Sequence, residues 1–298
     1  MDELCMLCPR KCNVNRKNSI GFCGAPFLPT VAKAMLHKWE EPCICYKNGS
    51  GAVFFSGCQL KCVFCQNHDI SDQITGKTLD ANDLSDLFLK LQEKGACNIN
   101  LVSPTPYLNT IIPALEKSKK IGLTIPIVFN SGGYESPSTI KMLNGLVDIY
   151  LPDFKFYSTE LSARYAKAKD YAKNALDSIL EMLRQTSPPL WDGDHLMRGI
   201  IIRHLVLPGS SKDSVKILEL IATQLPKDDV ILSLMRQYTP MFHATDYAEL
   251  TRTVTSLEYN RVVDTAQKLG FTNVYTQSAQ SSGMDYVPNF STFFDETN

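Results

Sequence analysis

From Ala52 onward the chain alternates short runs of β-branched and apolar residues with amphipathic helical patterns, which is the signature of a parallel α/β fold. Strands are expected at 52–56, 98–102, 126–130, 148–151, 199–207 and 230–235, with a further short one at 273–276. The helices between them have readable ends. Asp80 is an N-cap ahead of Leu84, Leu87, Phe88 and Leu91, which follow the i, i+3, i+4, i+7 spacing of a buried face. Ser136 precedes a proline at the first helical position, and Thr255 with Glu258 forms a capping box before a helix that Gly270 stops. Residues 159–185 read as one long alanine-rich helical segment, and 186–193 as a loop separating it from the fifth strand. About six βα units are fewer than the eight that close a barrel, so a partial, laterally open (β/α)6 TIM-like barrel is expected, with functional residues at the C-terminal ends of its strands.

The 298 residues, 44% of them hydrophobic, suffice for one large domain with a modest appendage. Three segments follow: a cysteine-rich metal-binding extension over 1–45, the barrel over 46–280 and a C-terminal tail over 281–298. A net charge of −1, from 30 basic and 31 acidic residues, gives no bulk attraction for nucleic acid or an anionic membrane. The start, MDELCMLC, is acidic where a signal peptide is basic, and the most apolar stretch, 199–209, is too short to span a bilayer and carries Arg203 and His204. A cytoplasmic protein is expected. Ten cysteines in such a chain read as metal ligands before disulfides, because the cytosol keeps thiols reduced. Nine of the ten lie before residue 66, leaving Cys97 alone beyond them, where a disulfide-stapled fold would spread them out.

Cys58, Cys62 and Cys65 sit in the run GCQLKCVFCQN, directly after the first strand of the alternation. Three thiolates can hold three corners of a [4Fe-4S] cubane and leave the fourth iron open to an outside ligand. Zinc competes, since His68 would complete a set of three thiolates and one imidazole. Structural zinc sites draw their ligands from separated hairpins, however, whereas these four fall within eleven residues; metal choice here turns on ligand type and geometry.

The CxxxCxxC of these cysteines, with aromatic Phe64 before the last, resembles the signature of the radical S-adenosylmethionine (radical SAM) superfamily. FFSGCQLKCVFCQN is most similar to the pyruvate formate-lyase activating enzyme branch. The resemblance implies an open iron that chelates the amino and carboxylate groups of S-adenosylmethionine, and a 5′-deoxyadenosyl radical that abstracts hydrogen from a substrate. A glycyl residue of a partner protein is one implied target, and a reducing donor of the flavodoxin or ferredoxin type an implied partner. The alternative class is a non-enzymatic iron–sulfur or zinc protein that carries electrons or binds a partner. A radical methyltransferase would need a methyl-accepting cysteine or a cobalamin site, and neither is identifiable.

Strand ends carry the other candidates. Asp153 and Lys155 in LPDFK end the fourth strand on one side of the alternation and match the family's DLK or DIK segment, implying contacts to S-adenosylmethionine; a surface ion pair is the competing reading. Asn130 and Ser131, before Gly132 and Gly133, match the place of the family's TNG segment and could offer oxygens to the cofactor or to a monovalent cation, or simply form a turn. At the second strand the chain departs from the family: Ser103-Pro104-Thr105-Pro106 stands where GGE supplies a glutamate, so Ser103 and Thr105 bring hydroxyls but no charge. Arg203, in IIIRHLVLPG, matches an R-x-V-V-P-G run and is expected to face a carboxylate in the barrel mouth or to form a buried ion pair, with His204 facing away. Gln237 and Tyr238 in LMRQYTP occupy the position of the family's adenine-side contacts. His37, His195 and His243 show no ligand spacing and read as ordinary surface or packing residues.

Cys5, Cys8, Cys12 and Cys23 form a second set, four thiolates within nineteen residues, with Pro9, Gly21 and Gly24 supplying turns. They could hold structural zinc or a second [4Fe-4S] cluster, and spacing alone does not choose. Cys43 and Cys45 are assigned no role.

Overall fold

The strand–helix alternation folds into one mixed sheet with helices on its outer face. In the computed structural model, which describes residues 4–46, 48–278 and 288–294, the strands are β1 (Thr30–His37), β2 (Ser50–Phe55), β3 (Lys77–Thr78), β4 (Ile99–Val102), β5 (Ile127–Ser131), β6 (Ile149–Pro152), β7 (Leu190–Asp192), β8 (His195–Leu205), β9 (Val230–Met235) and β10 (Val274–Thr276). Their order is β10-β9-β8-β6-β5-β4-β2-β1-β3, and every pairing from β2 through to β10 is parallel. The sheet is open: β10 and β3 lie at its two ends and do not pair with each other. The seven expected strands are therefore present. Sequence reading missed β1, which pairs antiparallel with β2, the two-residue β3 antiparallel to β1, and β7, a short antiparallel partner of β8 inside the stretch expected to be loop.

The helices are α1 (His68–Ser71), α2 (Ala81–Glu93), α3 (Leu108–Lys120), α4 (Pro137–Lys141), α5 (Thr159–Ala166), α6 (Tyr171–Thr186), α7 (Ser211–Gln224) and α8 (Ser256–Lys268). Asp80 and Thr255 cap α2 and α8 as expected; both caps are complete capping boxes, the one at Asp80 closed by Asp83, which the sequence reading did not name. Ser136 does occupy the N-cap of α4, with Pro137 following, but its side chain makes no capping bond. The long helix expected over 159–185 is broken. Lys167 turns left-handed at φ 53° and ends α5, and α6 restarts at Tyr171, whose fully buried ring lies in the core beneath the strand ends.

Alternation along the strands divides the sheet into two faces. Ile127, Phe129, Tyr150, Ile200, Ile202, Val230 and Leu232 pack outward against the helices. Val128, Ile149, Leu151, Ile201 and Ile231 pack on the concave face, together with Cys43 and Ile44. The chain between β1 and β2 thus fills the floor of the partial barrel. Its backbone is satisfied there: Leu196 N–H donates to the Cys43 carbonyl at 2.9 Å and Asn98 Nδ2 to the Ile44 carbonyl at 2.6 Å. One residue pair further along the same strands, Asn130, Asp153, Arg203 and Ser233 form a polar layer above that floor.

Candidate active site

The three cysteines of GCQLKCVFCQN enter this polar layer from the loop that follows β2. Gly57 takes φ +89° at the start of the loop and Lys61 φ 52° within it, which turns the chain back so that Cys58, Cys62 and Cys65 face a single cleft. The cleft has a volume of about 220 Å³ and lies at the C-terminal ends of the strands. Besides the cysteines, Phe64, Ser103, Asn130, Ser131, Asp153, Lys155, Arg203 and Gln237 line it. Sequence reading named all eight separately; the fold brings them to one wall.

A buried charge network organises that wall. Arg203 Nε donates to Asp153 Oδ1 at 2.9 Å and its Nη2 to Asn130 Oδ1 at 2.6 Å, while Lys155 Nζ pairs with the other Asp153 oxygen. Glu40 lies 3.8 Å from Arg203 and accepts from Asn100 Nδ2 at 2.8 Å. Burial alone would raise the Asp153 carboxyl, but Arg203 and Lys155 outweigh it and hold the group below its usual range. Burial also opposes the charge on Lys155 and on Arg203, yet the surrounding carboxylates keep both cations above their ordinary values. Glu40 and Glu41 are raised by burial, with Arg203 opposing. Asp153 is therefore a fixed anion held by two cations.

The thiols are the counterpart. Burial pushes Cys65 up to about 11 and Cys62 higher still, with the Lys155 ammonium opposing in both cases. Burial keeps Cys62 and Cys65 protonated, so a group carrying positive charge is what converts those two to thiolates. A cluster bound through three corners fits three thiols on one loop.

Thr105 and Tyr238 do not line the cleft. Thr105 Oγ1 donates to Glu135 Oε1 at 2.9 Å, and the fully buried Tyr238 donates its hydroxyl to the Leu250 carbonyl at 2.8 Å. His68 also lies outside the lining; it stacks on Phe242 at 4.8 Å between ring centroids. His204 faces away from the cleft, with Nδ1 against the Phe154 carbonyl and Nε2 against Ser214 Oγ, and burial lowers it to about 4, so it stays neutral. His37, by contrast, is buried at the cleft with its ring edge-on to Phe54.

Sequence reading missed Trp39, Glu40, Gln59 and Glu135. Trp39 and Glu40 reach the cleft from the segment after β1, whose TVAKAMLH run is β-branched only at its start and gives no alternation that marks a strand. Glu135 is wholly buried behind the wall, where Gln59 Nε2 donates to it at 2.7 Å, Thr105 at 2.9 Å and Ser131 Oγ at 3.1 Å. Burial pushes its carboxyl up to about 7, against the lowering effect of those donors. No motif marks it. Its position appears only once three loops converge.

A second, smaller cavity adjoins the first. Cys5, Cys8, Cys12 and Cys23 line it together with Arg10, Arg16, Gln59 and Thr105. Gln59 thus stands in the wall between the two sets of cysteines. Among the described residues, no group of three or more His, Cys, Asp and Glu side chains is gathered as a ready site for a single metal ion.

The sequence profile of the Radical SAM superfamily matches residues 52–221, and the chain belongs to that superfamily. Its members are enzymes that use a [4Fe-4S] cluster and S-adenosylmethionine in radical chemistry. An uncharacterised protein of Methanocaldococcus jannaschii is 31% identical over 91% of this chain and 76% of its own length. The pyruvate formate-lyase-activating enzyme of Listeria monocytogenes is 26% identical over 54% of this chain and 63% of its own length. The fold is similar to that of methylornithine synthase, with a TM-score of 0.50 at 14% identity, covering 74% of this chain and 68% of that one. Among the described residues no helix is long and apolar enough to cross a membrane.

Proposed function

We propose that Cys58, Cys62 and Cys65 hold the [4Fe-4S] cluster and that the adjoining cleft takes S-adenosylmethionine, making this a hydrogen-abstracting radical enzyme. The observation that carries the reading is the single cleft lined by three cysteines of one loop and by the strand-end set Asp153, Lys155, Arg203 and Asn130. When bound, cluster and cofactor supply reductive cleavage of the sulfonium to methionine and a 5′-deoxyadenosyl radical.

The protein's own part is to bind, orient and exclude water. Asp153, locked between Arg203 and Lys155, presents a rigid anion to the cationic and hydroxyl groups of the cofactor. Phe64 packs edge-on against Phe156, Tyr165 and Tyr238, which fixes the loop between Cys62 and Cys65 and closes its far side with an aromatic wall. Gln277 Nε2 donates to Gln237 Oε1 at 2.8 Å and sets that amide at the rim. A glycyl residue of a partner protein is the favoured substrate class. The laterally open sheet would admit a protruding loop, and the similarity to an activating enzyme from Listeria points the same way. A low-potential donor of the flavodoxin or ferredoxin type supplies the electron.

The test is anaerobic reconstitution followed by dithionite and S-adenosylmethionine. 5′-Deoxyadenosine should form, and Cys62→Ala should abolish it. A reducible cluster in the wild-type protein that yields no 5′-deoxyadenosine would instead mark an electron carrier. Transfer of deuterium from a labelled candidate peptide into 5′-deoxyadenosine identifies the hydrogen donor.

A further inference from the structure

The four N-terminal cysteines are placed as more than a staple. We propose that Cys5, Cys8, Cys12 and Cys23 hold a second iron–sulfur cluster, and that the contact between Cys23 and Cys58 is the path by which an electron reaches the cleft. The proposal rests on the reading of Cys58, Cys62 and Cys65 as cluster ligands.

The N-terminal chain is wound tightly for this purpose. Cys5 N–H donates to the Val14 carbonyl at 2.9 Å and Asn13 N–H to the Cys5 carbonyl at 3.1 Å, with Lys11 and Asn13 both left-handed, so Cys5 and Cys12 are carried to one side of a small hairpin. A methyl group at Gly21 would come within 3.1 Å of Cys12 Sγ, which is why the returning chain passes there without a side chain. The charge balance suits an anionic group. Residues 4–38 contain Arg10, Lys11, Arg16, Lys17, Lys33 and Lys38 and no aspartate or glutamate.

Donors are also aimed at sulfur. Phe22 N–H donates to Cys12 Sγ at 3.4 Å. Arg16 binds the Pro106, Pro26 and Ala25 carbonyls through its terminal nitrogens, while its Nε is buried beside the four cysteines with no partner. A buried guanidinium N–H left unpaired is costly, and a thiolate or a bridging sulfide of a bound cluster would satisfy it. Hydrogen bonds to sulfur are among the means by which proteins set cluster potentials.

The contact with the cleft places the second set where a redox group could serve the first. Cys58 N–H donates to the Cys23 carbonyl at 3.2 Å, so one hydrogen bond joins a cysteine of the first set to a cysteine of the second. A side chain on Gly57 would stand 2.9 Å from that same carbonyl, and the bare glycine is what lets Cys23 approach. Arg10 reinforces the junction, donating from Nε to the Gln59 carbonyl at 3.0 Å. Fastening a terminal knuckle does not call for ligands of two sites in direct contact, whereas passing an electron between two groups is favoured by their closeness.

The step balances simply. A low-potential one-electron protein donor is oxidised by one electron, the second cluster is reduced and then reoxidised, and that electron is consumed in cleaving the sulfonium; no proton moves and no bond changes at the second site.

Iron and acid-labile sulfide counting on the anaerobically reconstituted protein tests the assignment. About eight irons per chain are expected in the wild type, and about four with an electron paramagnetic resonance signal after dithionite in the Cys58→Ala/Cys62→Ala/Cys65→Ala variant. Four irons with one zinc, or four irons and no second metal, would overturn it. The conduit is tested by the ratio of 5′-deoxyadenosine formation driven by reduced ferredoxin to that driven by dithionite. Cys12→Ser should lower the ratio by about tenfold, since a small reductant can reach the cleft directly; an unchanged ratio sinks the conduit. If wild-type protein with eight irons makes no 5′-deoxyadenosine at all, the reading of the first site has failed instead.

Discussion

Asp153 and Arg203 show how much of the site depends on single side chains. Among the described residues Arg203 is the one cation in contact with both Asp153 and Glu40, and Glu41 also feels its charge. Removing it in Arg203→Ala leaves the buried Glu40 without its cation and Asp153 with Lys155 alone. Such a loss costs about 3–5 kcal/mol, to be read as a lower midpoint of denaturant unfolding. Sequence reading found Arg203 because an arginine in an apolar strand demands a partner, but it could not find Glu40, which arrives from a strand pairing made elsewhere. Glu135 gives a pH signature. Its folded-state value of about 7 lies above the ordinary carboxyl value of 4.5. Its contribution is therefore complete below pH 4.5 and is lost as pH rises towards 7, amounting to roughly 3 kcal/mol by linkage. The stability difference between wild type and Glu135→Gln should shift in that window; a flat difference would contradict it.

At the scale of elements, the glycines after β5 hold the wall together. Gly133 has φ +78°, and a methyl group there would meet the Asp153 carbonyl at 1.9 Å and the Tyr171 hydroxyl at 2.9 Å. At Gly132 the close neighbour is instead the Leu60 side chain, 2.8 Å from where a methyl group would stand. Gly133→Ala should cost about 2 kcal/mol or more and displace Asp153, to be seen as a drop in thermal midpoint together with weaker S-adenosylmethionine binding. Thr255→Ala, which removes the capping box of α8, should cost only about 1 kcal/mol and leave the cleft unaffected. The parallel strands, the cap at Asp80 and the capping box at Thr255 were legible because period and cap chemistry are local. β1 was not, since its role is decided by pairing with β2. The break between α5 and α6 was hidden for a similar reason: alanine-rich composition favours helix throughout, and burial of Tyr165 and Tyr171 on either side of the turn overrides it.

Across the whole molecule the charge is nearly balanced, yet residues 4–38 are basic without a single acid. An acidic donor protein should dock near the second cavity by long-range attraction. Its rate of reducing the enzyme should fall several-fold between about 0.05 and 0.5 M salt, measured by stopped-flow absorbance; a salt-independent rate would place the docking face elsewhere. The sequence by itself determined the α/β class, the three cysteines after the first strand and the strand-end polar residues, because periodicity, thiol spacing and strand position are written in neighbouring residues. Tertiary structure alone decided that Glu40 closes the charge network, that Glu135 lies behind the wall and that Cys23 touches Cys58. Those contacts join residues distant in the chain, and no local pattern encodes which loops will converge over an open sheet.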